Sequence, residues 1–286
     1  MKIDANSVTF EPQDMAFVKK FGILKATEMA LDYHAEHPNL PFLYDAEQLA
    51  GFLGISRGEL NDIVNHIQKE YKETRLPKKD GTYRSLCVPS IRLRFCQDPI
   101  KEKILPQLPV SKFATAYQKG STTRGNAEPH IGKKFLLKLD ITDFFGSITF
   151  EQVQCAAFNT RYVSRQVGYL LTSLCCKDDS LPQGAATSPA LSNIVMYRFD
   201  DYIGRWCSQR QIAYTRYCDD MTFSANRPLY GVYQKVKTML REMGFELNES
   251  KTHFIGNDNR QSVTGLVVNE KLSIPSGYKR DLRQEV

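Results

Sequence analysis

The chain has 286 residues, 42% of them hydrophobic, enough to bury a sizeable core in one large domain or two lobes. No run of about 18 apolar residues and no apolar leader after Met1 are present, so neither a membrane span nor a secretory signal is expected. Seven cysteines without a Cys-x-x-Cys pair argue against a zinc site or a disulfide framework and for reduced, mostly buried thiols in a cytoplasmic protein. The net charge of +6 is unevenly spread: residues 1–70 hold 6 Lys/Arg against 11 Asp/Glu (−5), and the remainder 32 against 21 (+11). A basic body behind an acidic leader permits a polyanionic partner without requiring one.

In chain order, residues 1–70 read as an acidic helical region. Its most periodic stretch is 15–35, and Asp45 caps a following helix with Glu47 in the first turn. Residues 49–60, followed by Ile63 and Ile67, have helix–turn–helix character with Ser56 as a cap. The segment is acidic and its second helix lacks basic side chains, so a helical hairpin packed on the body fits better than a DNA-reading module. Residues 71–89 are two extended runs around Lys78-Lys79-Asp80-Gly81, and Asp-Gly predicts a hairpin. Such a basic tip is either a solvated turn or a shape that reaches over a triphosphate.

A helix is predicted over 91–108, broken by Pro99, and then a long polar loop over 113–130 of the kind that is often functional. Residues 135–141 read as a strand ending at Asp140, and helical patterns cover 150–158 and 164–176. Gly184 allows a tight turn, and Ser188-Pro189 starts a helix expected to run to about residue 208. Two β-rich runs over 212–225 follow, then a helix over 229–243 stopped by Gly244. Short strands are expected at 245–248 and 252–255, and a last hairpin from 263–269 and 271–274. This order predicts an α+β fold, an antiparallel sheet backed by helices.

The chemistry centres on Asp219 and Asp220, adjacent carboxylates between two strand-forming runs. A tight turn tolerates Asp, so a surface hairpin tip is one reading. The other is a rigid turn presenting ligands to a hard cation such as Mg²⁺, which is held by one or two carboxylates plus substrate phosphates. Asp140, alone, reads as a strand-end cap. Together, three carboxylates at the ends of adjacent strands can hold two divalent ions about 4 Å apart.

Tyr217-Cys-Asp-Asp220 matches the Tyr-x-Asp-Asp box of reverse transcriptases, and Leu139-Asp-Ile-Thr-Asp-Phe-Phe-Gly-Ser147 resembles their first catalytic-Asp motif. Leu181-Pro-Gln-Gly-Ala-Ala-Thr-Ser-Pro189 is similar to their Gln-Gly motif, and Gly244-Phe-Glu-Leu-Asn-Glu-Ser-Lys-Thr252 to their later Gly…Lys motif. Arg84-Ser-Leu-Cys-Val-Pro89, with Gln97, resembles the first finger block. Within that family the chain looks most like a bacterial retron reverse transcriptase: Asn126-Ala-Glu-Pro-His130 and Val263-Thr-Gly265 match two retron signatures.

The resemblance implies a right-hand polymerase fold with fingers and palm. Residues 71–135 and 148–212 would form the fingers with part of the palm, and 136–147 and 213–275 the palm. Residues 276–286 would begin a thumb that is largely absent from this chain. Asp140, Asp219 and Asp220 are implied as catalytic metal ligands, with the Ile141 carbonyl as a further oxygen, for two Mg²⁺ ions that Mn²⁺ can replace. Asp143 is not assigned a ligand role. Lys78, Lys79, Arg84, Gln183, Gly184 and Lys251 are implied at the nucleotide, Lys251 at the leaving pyrophosphate. Phe145 is implied beneath the sugar 2′-carbon, where it excludes ribonucleotides. Tyr217 is implied near the primer end. Asn126, His130, Val263, Thr264 and Gly265 are implied at nucleic acid. Each also has a plainer reading: Phe145 and Val263 as core, Lys251 as an exposed lysine, Gly265 as a backbone requirement, His130 as structural.

The implied function is synthesis of DNA from dNTPs on a cognate structured non-coding RNA. Priming would start from an RNA 2′-hydroxyl and yield a branched RNA–DNA (msDNA), within an anti-phage system that includes an effector protein. The alternatives are a reverse transcriptase of group II intron or diversity-generating type, or a thumb-less RNA/DNA-binding scaffold that restrains a toxic effector. Ala186 stands where the Gln-Gly motif commonly has Pro, and Cys218 where the Asp-Asp box commonly has Ala; both are changes among small residues.

Overall fold

The computed structural model describes residues 2–4, 7–77, 81, 83–159 and 163–274. Lys78 and Lys79, expected at a basic hairpin tip, and the expected thumb start at 276–286 lie outside the described residues. The strands are β1 (Lys2–Asp4), β2 (Ser7–Thr9), β3 (Tyr71–Pro77), β4 (Tyr83–Pro89), β5 (Phe135–Asp140), β6 (Ala213–Tyr217), β7 (Asp220–Ala225), β8 (His253–Gly256), β9 (Ser262–Val263) and β10 (Leu266–Val267). The α-helices are α1 (Met15–Phe21), α2 (Ile23–Glu36), α3 (Ala46–Leu53), α4 (Arg57–Asn65), α5 (Ile91–Pro99), α6 (Thr123–Ala127), α7 (Phe150–Val153), α8 (Arg165–Cys175), α9 (Ser188–Val195), α10 (Tyr197–Ser208) and α11 (Tyr230–Glu242).

The chain divides into two units, Met1–Pro109 with Ile148–Val195, and Val110–Ser147 with Met196–Val286. In the first, the periodic stretch 15–35 is two helices, α1 and α2, separated by Gly22. Phe17, Ala26, Tyr33 and Phe42 form their core, with Phe21 and Tyr44 packed against it. Asp45 and Ser56 cap α3 and α4 through the N–H groups of Gln48 and Glu59. α5 runs through Pro99 into a π-helical turn at Ile100–Ile104, which accommodates the missing proline N–H, instead of breaking there.

The acidic N-terminal region is part of this first unit. β3 and β4 pair antiparallel, and the Gln-Gly segment docks on β4: the Cys87 N–H donates to the Gln183 carbonyl at 2.7 Å. Gly184 has φ +123°, and a Cβ there would stand 2.9 Å from the Cys87 carbonyl oxygen. Only glycine permits that approach.

The second unit is built on one antiparallel sheet, order β6-β7-β5-β8. Its central strands are mostly buried, including Leu136, Leu137, Leu139, Met221 and Phe223. Residues 110–135 and 196–212, expected with the fingers and part of the palm, group with this sheet. The reason is local pairing: Arg216 N–H donates to Phe113 O and Thr115 N–H to Arg216 O, so the loop covers the β6 edge. The helix expected over 188–208 is two, α9 and α10, split at Met196.

Two strand expectations are corrected. Residues 245–248 make only an isolated bridge, Ile141 to Leu247. The last hairpin forms over 262–267, between β9 and β10, with only a bridge from Val267 to Ser273 beyond it. Thr264 (φ +44°) and Gly265 (φ +81°) are both left-handed, the signature of a two-residue type I′ loop, which closes the hairpin earlier than the hydrophobic pattern suggests.

Candidate active site

The site grows from the β6–β7 hairpin. Tyr217 pairs with Asp220, leaving Cys218 and Asp219 as a two-residue loop. Cys218 has φ +62°, the conformation in which a turn of this length prefers glycine, so the chain holds the carboxylates on a strained turn. Register then brings in the third: Asp140 lies directly opposite Asp220 across the β5–β7 ladder, and the Ile141 N–H donates to the Asp219 carbonyl at 3.2 Å. The Asp140 carbonyl accepts from Asn248 N–H and Glu246 O from Thr142 N–H, so the strand end is fixed on its other side too.

Asp140 is buried, Asp219 half-buried and Asp220 exposed. The Asp220 carboxyl is nonetheless raised from its ordinary value, first by the protein packed around it and then by the negative charges of Asp219 and Asp140. Lys251, from the turn before β8, meets this charge. Its Nζ donates to both Asp140 oxygens, at 3.0 and 2.9 Å, and this bond raises the lysine pKa. Among the described residues, no cluster of three or more His, Cys, Asp or Glu side chains stands ready to hold a metal alone. The donor set instead fits an ion of Mg²⁺ type, bound by one or two carboxylates and completed by substrate phosphates. Mutual repulsion among the carboxylates, with an ammonium drawn onto Asp140, is the electrostatic state that a divalent cation relieves.

The family model for reverse transcriptase (RNA-dependent DNA polymerase) matches residues 76–268. Retron Ec86 reverse transcriptase of Escherichia coli is 29% identical over 268 residues, covering 92% of this chain and 83% of that protein. Retron Ec83 reverse transcriptase of Escherichia coli is 34% identical over 226 residues, covering 73% of this chain and 72% of that protein. The chain belongs to the retron reverse transcriptases. Its enzyme class is therefore RNA-directed DNA polymerase, its family uses divalent metal ions, and an RNA template is its partner. Among solved structures, telomerase of Candida albicans in complex with a fragment of telomeric RNA superimposes with a TM-score of 0.50 at 14% identity. The match covers 74% of this chain and 48% of that one, and shows the shared polymerase fold.

The two retron signatures, 138 residues apart at Asn126 and Thr264, meet in the structure. Asn126 Nδ2 donates to Thr264 Oγ1 at 3.4 Å, Thr264 Oγ1 donates to the Thr123 carbonyl at 3.1 Å, and Thr115 Oγ1 donates to Asn126 Oδ1 at 2.6 Å. Val263 packs with Ala127, Leu136 and Val268. His130 is fully buried, its Nδ1 2.7 Å from Ser224 Oγ and its Nε2 2.9 Å from Thr215 Oγ1. Burial pushes its pKa down to about 3. The side chains of Asn126, His130 and Val263 are buried: Asn126 and His130 tie α6 and the following turn to the sheet, and Val263 packs in the core beside them. Thr264 is half-buried and Gly265 exposed.

Phe144 is core, whereas Phe145, 5.5 Å from it between ring centroids, is half-exposed. Asp143, at φ +42°, folds its carboxylate against Gly146. Tyr217 is half-buried beside the aspartate turn. Arg84 is exposed on β4; it, Gln183 and Gly184 belong to the first unit. Sequence reasoning missed Tyr117, whose hydroxyl donates to Cys218 Sγ at 3.1 Å, and the buried pair Arg216–Asp200. The available signal was a charge at Arg216 in an otherwise uncharged, strand-forming run and another at Asp200 among apolar helix positions.

Proposed function

We propose that this retron reverse transcriptase synthesises DNA on a cognate structured non-coding RNA in a Mg²⁺-dependent reaction whose metal ligands are Asp140, Asp219 and Asp220. The observation that carries this reading is the register of Asp140 opposite Asp220, with Asp219 in the adjoining turn. Bound divalent ions supply charge neutralisation and alignment for phosphoryl transfer. Mn²⁺ is the expected substitute for Mg²⁺, and the Ile141 carbonyl a further oxygen, since its own N–H already faces Asp219.

The chain's side chains take the remaining roles. Lys251 exchanges Asp140 for the leaving pyrophosphate, an exchange supported by the exposed position of its side chain. Phe145, half-exposed after the core residue Phe144, excludes a ribose 2′-hydroxyl by sterics. Lys78, Lys79, Arg84, Gln183 and Gly184 contact the nucleotide, Tyr217 lies at the primer end, and Thr264 and Gly265 contact nucleic acid.

The retron resemblance supports priming from an RNA 2′-hydroxyl to give msDNA, and an anti-phage system with an effector encoded nearby. A cytoplasmic location is supported by seven free cysteines. No helix among the described residues is long and apolar enough to cross a membrane.

The test is DNA synthesis on the RNA that co-purifies with the protein, sequenced to identify it. Asp219→Asn with Asp220→Asn is expected to abolish Mg²⁺-dependent synthesis while leaving RNA binding in place. Synthesis at the wild-type rate by this variant overturns the assignment.

A further inference from the structure

The most heavily buried charges in the second unit lie behind the aspartate turn. Arg216 on β6 and Asp200 on α10 are both 0% exposed. The guanidinium binds the carboxylate through two nitrogens, Nε at 2.9 Å from Oδ1 and Nη2 at 2.6 Å from Oδ2, and the Tyr214 hydroxyl donates to Oδ1 at 2.7 Å. The remaining nitrogen, Nη1, donates to the Cys218 carbonyl at 2.8 Å. That carbonyl belongs to the peptide unit whose N–H is Asp219's own.

From this geometry we infer that Arg216 is a positioning residue that sets the plane of the Cys218–Asp219 peptide and thereby aims the catalytic carboxylates. Three features support it. Cys218 holds a left-handed conformation without being glycine, so the turn requires an external hold. Arg216 can supply one because its backbone is itself fixed, by Phe113 and Thr115 on one side and by the pairing with Met221 on the other. The guanidinium also stacks over Phe144, 5.8 Å from the ring centre. Finally, its charge is cancelled by Asp200, so it does not act as a local counter-ion to Asp219 and Asp220. Its contribution is directional: a rigid fork that binds Asp200 along one edge while Nη1 donates to the Cys218 carbonyl, a geometry lysine cannot reproduce. With the Asp219 carbonyl held by Ile141 N–H, successive carbonyls of the turn are anchored to β6 and to the end of β5.

The inference concerns the aspartate site of the proposed function, and its test separates the two. Removing one member alone would strand a buried charge, so the variant is the neutral exchange Arg216→Gln with Asp200→Asn. Val236→Ala, a core change in α11, serves as a destabilised control. Thermal unfolding of the full chain shows that each variant folds. The first readout needs no metal: alkylation of Cys218, followed by mass spectrometry against the exposed Cys155. The exchange is expected to speed Cys218 alkylation relative to Cys155 by at least about ten-fold, because the turn opens locally, while Val236→Ala leaves the ratio unchanged. The second readout is Mn²⁺ binding by electron paramagnetic resonance, expected to weaken about ten-fold, the size of effect typical of residues that orient metal ligands. An alkylation ratio in the exchange variant equal to that of Val236→Ala overturns the positioning role. Mn²⁺ binding by Asp219→Asn equal to that of the wild type overturns the metal assignment instead, and leaves alkylation to decide the role of Arg216. If the exchange variant does not fold, Arg216→Lys is subjected to the same two measurements.

Discussion

Replacing His130 by Ala tests whether the retron Asn-Ala-x-x-His signature is structural. The imidazole is 0% exposed and bridges Ser224 on β7 and Thr215 on β6. Its loss strands the buried Ser224 hydroxyl, at about 1–3 kcal/mol, leaves Thr215 with its bond to the Asn126 carbonyl alone, and opens a cavity, so a cost of about 3 kcal/mol at neutral pH is expected. The sharper test is pH. The folded-state pKa is about 3 against 6.5 in the unfolded chain, so the neutral ring stabilises the fold fully above the unfolded value. That stability is lost as pH falls from 6.5 toward 3, because only the unfolded state takes the proton over this window.

At about 1.4 kcal/mol per pH unit, the wild type should lose about 2 kcal/mol by about pH 5 that His130→Ala does not lose. Guanidinium unfolding followed through Trp206 measures it: this is the chain's single tryptophan and it lies in α10 of the same unit. Stability curves for the two proteins that run parallel between about pH 7.5 and about pH 5, to within about 0.5 kcal/mol, would refute the buried neutral ring.

Two further outcomes are expected. Gly184→Ala drives a Cβ onto the Cys87 carbonyl at a left-handed φ; it should cost about 1–3 kcal/mol, and hydrogen exchange at the Cys87 amide should quicken. Lys251→Met frees Asp140 from a half-exposed ion pair, so thermal stability should move by about 1 kcal/mol or less. In that variant Mn²⁺ binding to nucleotide-free protein should tighten while the rate of nucleotide addition falls; weaker Mn²⁺ binding would argue that the lysine does not compete for Asp140.

The candidate site was legible early because its motifs are local. Asp219 and Asp220 sit between strand-forming runs, Asp140 ends another, and the motifs containing Gln183-Gly184 and Lys251 follow in a fixed order. The errors were also local in origin. Hydrophobic periodicity runs through Gly22 and Met196 without registering the breaks, and it continues past Thr264-Gly265 although the turn there closes the hairpin. Conversely, Asn126 and His130 look like exposed loop residues, because nothing nearby in sequence announces the hydroxyls of Thr115, Thr215 and Ser224 that bury them.

Sequence alone thus determined the fold class and the family resemblance, and it singled out three candidate carboxylates, since strand propensity, turn chemistry and motif spacing act over a few residues. Only the tertiary structure decided that Asp140 stands opposite Asp220, that Lys251 neutralises it, and that Arg216 and Asp200 are buried behind the aspartate turn. Strand register and the burial of a charge depend on partners from 16 to 111 residues away, and composition and periodicity carry no record of which distant residue will satisfy them.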